Sequence, residues 1–344
     1  MGLFDFLTHE IAIDLGTANT LIIYKGQVVV DEPSIVARER SSGKVIAVGK
    51  RAMQMHEKTH KDIETIRPLK DGVIADFEAA EEMLRQMIKM LYTKKRWFTP
   101  QYKMIICIPS GITEVEKEAV FKSAEKSGSR ESYLIHEPMA AALGIGIDVS
   151  EPEGNMIIDI GGGTTEIAVM ALMGIVCDES IRVAGDEFTL DIVDFMRRQH
   201  NMLIGERTAE KIKINIGSAL AELPEEIAPA PYAVNGRDLM TGVPRQIEIT
   251  YQEIAKCLDK SISKIEEAVL RALEATPPEL AADIYKRGIY LTGGGALLRG
   301  LDTRISSKTK LDVHVAEDPL KAVVRGTGRA LKGTENYPFL MTKR

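Results

Sequence analysis

Hydrophobic positions along the chain fall into short apolar runs that alternate with stretches of helical spacing. The runs typical of buried strands cover residues 11–14, 21–24, 27–30, 45–48, 104–108, 157–160 and 289–291. Apolar residues recur at helical spacing over residues 78–92, 208–216 and 254–273. Strands that alternate with helices predict an α/β fold with mixed sheets.

Three local patterns mark the expected starts of helices. Thr113 with Glu116, and Thr276 with Glu279, have the spacing of capping boxes. Gly293–Gly295 follow the last apolar run and predict a turn from a strand into a helix.

Two segments of the chain carry the same pattern at one offset of 145 residues, from Asp14 to Asp159. In residues 13–22 and 158–167, an apolar strand ends in Asp and is followed by Gly, Thr and a second apolar run. A pattern of this length rarely recurs at one offset by chance. The repeat therefore predicts two similar domains that face each other.

The length of 344 residues also exceeds what one hydrophobic core usually supports. We expect domain I over residues 1–151, with a small inserted subdomain at about 37–71 and a returning C-terminal segment at about 319–344. Domain II is expected over residues 152–318, with a small inserted subdomain at about 188–251.

Composition narrows the classes of function. The net charge is −6 and no long basic stretch occurs, which argues against nucleic acid as a partner. The three cysteines are far apart and form no CxxC pair, so the sequence favours neither a disulfide framework nor a zinc site and indicates a reducing cytoplasm. No window approaches the length and apolarity of a membrane-spanning helix, and the N-terminus lacks the features of a signal peptide.

The first candidate site is the turn that follows Asp14. An apolar strand delivers the Asp14 carboxylate to its end, and Gly16 allows a tight turn whose N–H groups can surround a phosphate. Thr17, Asn19 and Thr20 add short polar groups. The alternative is an ordinary hairpin with Asp in its turn.

Two further glycine clusters strengthen the phosphate hypothesis. Asp159 is followed by Gly161, Gly162 and Gly163, whereas a hairpin needs only one or two glycines. Close approach of the backbone to a ligand would explain the third. The triplet Gly293–Gly295 could lie against an adenosine, although such turns are common in α/β proteins.

Three charged residues have simpler explanations when taken alone. Glu137 stands at the start of a Pro- and Ala-rich helix, where a carboxylate is usually a capping group. Glu210 and Lys213 share one face of a predicted helix and could be a solvated charge pair.

Together these segments resemble the actin, Hsp70 and sugar-kinase superfamily, all five of whose motifs occur in order. That fold has two related ribonuclease-H-like α/β domains around a nucleotide cleft, each with a small inserted subdomain. Nearly the whole chain is similar to the MreB family of bacterial actin-like cell-shape proteins. The segments that carry this likeness are residues 66–76, 204–210, 276–280 and 297–302, and the departures are the extreme N-terminus, residues 224–235 and the C-terminal tail.

The resemblance implies an ATP site with Mg²⁺. It assigns nucleotide binding to Asp14, Gly16, Thr17, Ala18, Asn19, Asp159, Gly161, Gly162, Gly163, Thr164, Thr165, Gly185, Glu210, Lys213, Gly293, Gly294, Gly295 and Ala296. Asp14 and Asp159 would hold Mg²⁺ through water. Glu137 and Thr164 would position the water that attacks the γ-phosphate.

The function that the resemblance implies is a slow Mg-dependent ATPase coupled to head-to-tail filaments, with paired protofilaments. Such filaments lie in the cytoplasm at the inner face of the plasma membrane. Together with membrane proteins of the cell-elongation machinery, they organise cell-wall synthesis and maintain rod shape.

Two segments have compositions that suit a membrane surface. Leu3, Phe4, Phe6 and Leu7 fall on one side of a helical wheel, and the alternative is a frayed or docked terminus. Trp97 and Phe98 follow three basic residues in a predicted loop, and the alternative is that these aromatics tuck into the core.

Two rival functions use the same motifs. A chaperone ATPase would need a peptide-binding domain, and a sugar or small-acid kinase would need a substrate pocket faced by a carboxylate base. No segment is predicted to supply either.

Overall fold

Two large β-sheets organise the computed structural model, which describes residues 8–58, 60–91 and 101–343. The first has six strands in the order β19-β10-β9-β1-β2-β3. Their bounds are β1 Thr8–Leu15, β2 Asn19–Tyr24, β3 Gln27–Pro33, β9 Gln101–Ile108, β10 Ser129–His136 and β19 Met341–Thr342. The second sheet has five strands in the order β13-β12-β11-β17-β18. Their bounds are β11 Asn155–Ile160, β12 Thr165–Ala171, β13 Gly174–Ile181, β17 Ile289–Thr292 and β18 Val313–Val315.

Smaller sheets accompany each large one. A three-stranded sheet, β5-β4-β6, and the β7-β8 hairpin accompany the first large sheet, and a second three-stranded sheet, β14-β15-β16, accompanies the other. The strands are β4 Val36–Glu39, β5 Val45–Val48, β6 Ile63–Ile66, β7 Leu69–Lys70, β8 Val73–Ile74, β14 Met202–Leu203, β15 Tyr232–Asp238 and β16 Pro244–Ile249. These sheets lie where the inserted subdomains are expected, and the exact domain boundaries stay a prediction.

The α-helices include one at each of the three segments with predicted helical spacing, residues 78–92, 208–216 and 254–273. They are α1 Gly49–Met55, α2 Phe77–Lys89, α3 Glu114–Lys126, α4 Glu137–Ile145, α5 Gly185–His200, α6 Glu206–Ile216, α7 Tyr251–Glu274, α8 Pro278–Arg287, α9 Leu301–Thr309 and α10 Ala322–Leu331. The capping box of Thr113 and Glu116 opens α3 as predicted, with Thr113 as the N-cap.

Two predicted helix starts are wrong in detail. Thr276 does not cap α8, because Pro277 is the N-cap and the Thr276 hydroxyl instead donates back to the Ala272 carbonyl. The glycine triplet opens only a short 3-10 turn, Gly294–Leu297, and α9 begins after a second break at Gly300.

The internal repeat appears as two copies of one strand arrangement. In the first, β1 pairs antiparallel with β2, with Asp14 opposite Leu21, and lies parallel to β9. In the second, β11 pairs antiparallel with β12, with Asp159 opposite Glu166, and lies parallel to β17. The two registers match at the offset of the sequence repeat. The two related α/β halves predicted from the repeat are therefore confirmed.

Helices α4 and α10 join the two halves at the base of the cleft. One hydrophobic cluster contains residues of both helices together with Ala12 of the first sheet and Ile157 of the second. The helices cross without side chains between them, since a Cβ on Gly326 would lie 1.7 Å from the Ala140 carbonyl oxygen. One tight helix crossing therefore connects the two sheets at this cluster. None of the helices in the described residues is long and apolar enough to cross a membrane.

Candidate functional site

The turns after Asp14 and Asp159 touch each other at the centre of the cleft. A Cβ on Gly162 would lie 2.6 Å from the Cβ of Ala18, and a Cβ on Gly163 would lie 2.6 Å from the Thr17 hydroxyl oxygen. Close approach of the backbone to a ligand is therefore not the only reason for these glycines. Two of the three are required because one turn packs against the other.

The second turn presents its N–H groups away from α5. The backbone N–H of Gly185 donates to the Gly161 carbonyl over 3.1 Å, and that of Asp186 donates to the Gly162 carbonyl over 2.8 Å. A trans peptide places its C=O and N–H on opposite sides. The N–H groups of Gly162 and Gly163 therefore point away from α5, and neither donates to a backbone carbonyl within the described part of the chain.

Ser34 holds the first turn in a similar way. Its hydroxyl donates to the Gly16 carbonyl over 2.6 Å, and its backbone N–H donates to the Ala18 carbonyl over 2.9 Å. By the same peptide geometry, the Thr17 N–H points away from Ser34. The sequence did not single out Ser34, because a single serine in the bend between β3 and β4 carries no recognisable signal. Two opposed turns with outward N–H groups can surround an anion.

The carboxylates of Asp14 and Asp159 lie at the ends of the two strands that lead into these turns. Burial, and then the charge of Asp159, raise the pKa of Asp14 to about 7. Burial raises the pKa of Asp159 to about 6, against the opposing effect of the Thr292 hydroxyl, which donates to it over 2.7 Å. Keeping both carboxylates ionised near neutral pH is therefore unfavourable unless a cation lies between them.

Glu137 is the first residue of α4 and does not cap it. The N-cap is His136, which makes no side-chain capping bond. Burial, and then the charge of Glu166, raise the pKa of Glu137 well above its ordinary value. The capping explanation therefore fails, and Glu137 is a carboxylate held at the wall of the cleft.

Thr164 and Thr165 follow the second turn, and both are buried. Thr165 donates to the Val183 carbonyl over 2.7 Å, which ties the turn to the segment before α5. A Cβ on Gly72 would lie 2.9 Å from the Thr164 side chain, so the β7–β8 hairpin of the first half covers Thr164. Gly72 was missed because its role depends on a contact distant in sequence.

Glu166 is a second residue that the sequence analysis missed. It is fully buried in β12, where it is opposite Asp159 of β11 and Ser180 of β13. The sequence does contain a signal for this residue, since a carboxylate inside an apolar strand is unusual.

Helix α6 packs its charged pair against α5. Lys213 donates to the Gly185 carbonyl over 2.6 Å, to the Thr189 hydroxyl over 3.0 Å and to Glu210 over 2.7 Å. The Lys213 side chain is 14% exposed, against 44% for Glu210. Lys213 is therefore not part of a solvated charge pair. Its ammonium group holds the first residue of α5, next to the second turn.

The glycine triplet packs directly on the end of β11. A Cβ on Gly293 would lie 2.3 Å from the Ile160 carbonyl oxygen, and a Cβ on Gly295 would lie 2.2 Å from the Ile160 side chain. Gly294 would meet only Leu320, at 3.1 Å, and Ala296 is buried. Packing thus explains two of these glycines without a ligand.

Contacts between the two halves bridge the mouth of the cleft. They join the segment around Glu57 and Arg67 to the N-termini of α5 and α6. The Glu57 carboxylate accepts the backbone N–H of Glu206 over 2.9 Å, at the first turn of α6. Arg67 lies 3.8 Å from the Glu206 carboxylate and 3.9 Å from that of Asp186. A carboxylate at a helix N-terminus is favourable, so this bridge stabilises the contact between the two halves at the mouth of the cleft.

Removing the bridge should speed the release of a bound nucleotide. We expect Glu57→Ala to raise the dissociation rate of a fluorescent ATP analogue roughly twofold to fivefold, because an exposed helix-terminal charge contributes about 1 kcal/mol or less. Stopped-flow chase with unlabelled ATP measures the rate. Lys58→Ala is the control, since Lys58 is an exposed neighbour with no side-chain partner in the described structure. Equal rates for all three proteins would show that the bridge does not hold the cleft.

The residues predicted to touch a membrane cannot be placed. Leu3, Phe4, Phe6, Leu7, Trp97 and Phe98 lie outside the described residues.

Comparison with known proteins decides the family. The chain matches the sequence model of the MreB/Mbl protein family over residues 8–338. It is 46% identical over 331 residues to the cell shape-determining protein Mbl of Bacillus subtilis (strain 168), covering 96% of this chain and 98% of the relative. The chain belongs to the MreB/Mbl family.

Other members of the MreB/Mbl family support the assignment. The cell shape-determining protein MreB of Escherichia coli (strain K12) is 48% identical over 330 residues, covering 94% of each chain. The crystal structure of MreB5 of Spiroplasma citri bound to AMPPNP superposes with a TM-score of 0.89 at 40% identity, covering 96% of this chain and 97% of that one. The same protein bound to ADP gives a TM-score of 0.88.

Proposed function

We propose that this MreB/Mbl protein binds and slowly hydrolyses ATP in the cleft and that ATP drives it into filaments. The observation that carries the proposal is the contact between the turns after Asp14 and Asp159. The backbone N–H groups of these turns point away from Ser34 and α5, and the carboxylates of Asp14 and Asp159 lie beside them. The Spiroplasma citri relative has crystal structures bound to AMPPNP and to ADP. We propose that the nucleotide-binding residues predicted from the sequence form the lining of this cleft.

The carboxylates of Asp14 and Asp159 suit a Mg²⁺ ion that they hold through its water ligands. Within the described ranges, no group of three or more His, Cys, Asp or Glu side chains could hold a metal directly. Asp14 and Asp159 supply only carboxylate oxygens, which hard cations prefer, and their raised pKa values indicate that they lack a counter-charge. We infer that they hold Mg²⁺ through its waters, where it would offset the phosphate charge.

Hydrolysis requires a water in line with the γ-phosphate, and Glu137 with Thr164 are the proposed water-positioning residues. In this proposal both side chains orient the water through hydrogen bonds. Orientation without a dedicated base fits a slow ATPase that times a conformational change.

Replacing Glu137 tests this role. We expect Glu137→Ala to slow phosphate release at saturating ATP roughly a hundredfold while ATP affinity stays within a fewfold, because it removes water positioning and no phosphate contact. Filaments should persist longer. Glu151→Ala, at an exposed position, is the control. Hydrolysis by Glu137→Ala at the parental rate would show that this carboxylate has no catalytic role.

A kinase of the same fold is the rival that shares the cleft. Incubation with ATP and a panel of sugars and small acids separates the two functions. We expect phosphate to appear as inorganic phosphate, unchanged by any acceptor. Transfer to one acceptor, faster than hydrolysis, would replace the proposal with a kinase.

Closure of the cleft is the proposed link between ATP and assembly. The α4–α10 crossing and the Glu57–Glu206 bridge connect the cleft to both halves, so the nucleotide state can alter their relative position. A head-to-tail interface that does not close on itself yields an open filament. We propose such filaments, as paired protofilaments, in the cytoplasm at the inner face of the plasma membrane, where membrane proteins of the elongation machinery would join them in organising cell-wall synthesis and rod shape.

Membrane attachment should depend on polymerisation. Burying a large side chain is worth roughly 1.5–3 kcal/mol, so Trp97 and Phe98 give one subunit weak adhesion that a filament multiplies. We expect Trp97→Ala/Phe98→Ala, and a chain lacking residues 1–7, to form filaments but to co-sediment less with anionic liposomes. Added salt should weaken the contribution of the adjoining basic residues. If both variants pellet like the parent, attachment lies elsewhere.

A further inference from the structure

The turn of residues 171–174, between β12 and β13 and here called the Leu172 turn, exposes an apolar side chain on a strained backbone. Leu172 has a φ of 52° and Met173 a φ of 60°, a left-handed conformation that tight hairpin turns usually give to Asn, Asp or Gly. Leu172 is also 68% exposed. Leucine therefore suits neither the backbone nor the solvent at this position. Contact of its side chain with another molecule would explain its presence.

The Leu172 turn is held in place by the chain that leaves α4. The backbone N–H of Leu172 donates to the Glu151 carbonyl over 3.0 Å, and that of Met173 donates to the Val149 carbonyl over 2.6 Å. These bonds fix the turn before any contact is made. Docking against it therefore costs little conformational entropy.

A second exposed apolar turn lies at residues 238–243, here called the hairpin tip, between β15 and β16. Its apolar residues Leu239, Met240 and Val243 are 46%, 81% and 58% exposed. The Asp238 carboxylate accepts the backbone N–H groups of Met240 and Thr241, each over 2.9 Å. The hairpin tip is thus a fixed turn that presents apolar side chains to solvent.

Helix α7 separates the hairpin tip from the Leu172 turn. Its start lies beside the hairpin tip, because His200 is 3.2 Å from the Glu253 carboxylate and accepts a bond from Arg245 over 2.6 Å through its carbonyl. Its end lies near the Leu172 turn, because the sulfur of Cys177 in β13 is 3.6 Å from the Ala272 carbonyl oxygen. A helix of 24 residues is about 36 Å long. The two exposed turns therefore lie at opposite ends of this half of the protein.

The charges around the two turns are opposite in sign. Residues 194–201 and 236–246, which meet at the hairpin tip, contain four arginines and two aspartates. Residues 146–155, which hold the Leu172 turn, contain three carboxylates and no basic residue, and one of these carboxylates, Glu153, pairs with Arg287. A single exposed charge contributes little, but patches of opposite sign orient an encounter. Each turn therefore suits the opposite end of another copy better than its own kind.

We propose that the hairpin tip of one subunit docks on the Leu172 turn of the next, with Met240 and Leu172 at the apolar centre of the head-to-tail contact. This contact rests on the proposed filament function, whose two surfaces it identifies. Two different patches at opposite ends of one chain add subunits in one direction without closing into a dimer. The partner is a second copy, because it offers each patch both an exposed apolar turn and the opposite charge.

The substitution Leu172→Asn separates assembly from folding. Asparagine adopts the left-handed conformation more readily than leucine, so the unassembled subunit should be at least as stable as the parent in thermal unfolding. Its ATP affinity should stay unchanged. Loss of one buried apolar side chain from the contact should raise the critical concentration for assembly with ATP at least about tenfold, as measured by light scattering and sedimentation.

Met240→Ser should raise the critical concentration to a similar extent, because it removes the other side chain of the same contact. Val29→Asn is the control. Val29 is an apolar residue of β3 in the six-stranded sheet and is 43% exposed. This variant should assemble like the parent.

Cross-linking tests which surfaces meet. Leu172→Cys and Met240→Cys proteins are mixed with ATP and Mg²⁺ and then oxidised. We expect a hybrid dimer in the mixture and, in either variant alone, no more dimer than in the parent, which carries Cys107, Cys177 and Cys257. Added salt should lower the yield of the hybrid, because it screens the opposite charges.

Three results would overturn the proposed contact. They are a parental critical concentration in both Leu172→Asn and Met240→Ser, absence of the hybrid dimer where the parent forms filaments, or a loss of assembly that only follows a loss of thermal stability or ATP affinity. If either variant does not fold, the cross-link decides. If the parent forms no filaments with ATP, the proposed filament function fails, whereas parental filaments with unaffected variants overturn this contact alone.

Discussion

Gly162→Val should abolish measurable ATP binding while leaving the protein folded. Any side chain at this position starts with a Cβ 2.6 Å from the Cβ of Ala18 and 3.0 Å from its backbone nitrogen. The branched valine must separate the two turns, and their N–H groups can then no longer face one phosphate group. We expect the affinity measured by calorimetry to fall at least about a hundredfold, since several charge-assisted hydrogen bonds are lost together.

Gly174→Val is the matched control for this substitution. Gly174 lies at the other end of the β12–β13 hairpin, and its Cβ would meet only the Ala171 carbonyl oxygen, at 3.7 Å. Its ATP affinity should equal that of the parent. Tight ATP binding by a folded Gly162→Val protein would remove the two turns from the nucleotide site.

Gly326→Ala should destabilise the whole protein. Its methyl group would lie 1.7 Å from the Ala140 carbonyl oxygen and 2.7 Å from the Gly144 nitrogen, both of which are backbone atoms of α4 that cannot turn aside. The helices must separate, and the core shared by both sheets opens with them. We expect the free energy of unfolding in urea to fall by at least about 3 kcal/mol, at the upper end of overpacking effects.

Gly328→Ala in the same helix provides the comparison. There the methyl group would lie 3.0 Å from the end of the flexible Ile23 side chain, which can adjust. Alanine also favours helix over glycine by about 1 kcal/mol, so we expect little net change in stability. If both variants lose stability equally, the α4–α10 crossing is not the critical contact.

The fold was predictable because its signals are local and repeated. The apolar runs gave the strands, and the offset between Asp14 and Asp159 gave two related halves, whose strand registers match in the structure. Helix starts were less predictable. The spacing of Thr276 and Glu279 fits a capping box, but Pro277 takes the N-cap and the Thr276 hydroxyl bonds within the preceding helix.

The candidate site was only partly predictable, because several roles depend on contacts between distant segments. Gly162 was singled out for an approach to phosphate, yet the neighbour that excludes a side chain is Ala18 in the other half. The sequence alone favoured a solvated Lys213, whereas in the structure its ammonium group donates to the Gly185 carbonyl of α5. Ser34 and Glu57 lie in no motif, and the role of Gly72 does not follow from its segment. Only the folded chain brings these residues to the turns and to the mouth of the cleft.

The central claim is that ATP in this cleft drives assembly of the chain. Electron micrographs of the purified protein at one concentration, with ATP and Mg²⁺, without nucleotide, and with Gly162→Val under ATP, test it most directly. We predict filaments in the first sample and none in the other two. Filaments of equal abundance in all three samples, or none in the first although calorimetry shows ATP bound, would contradict the account.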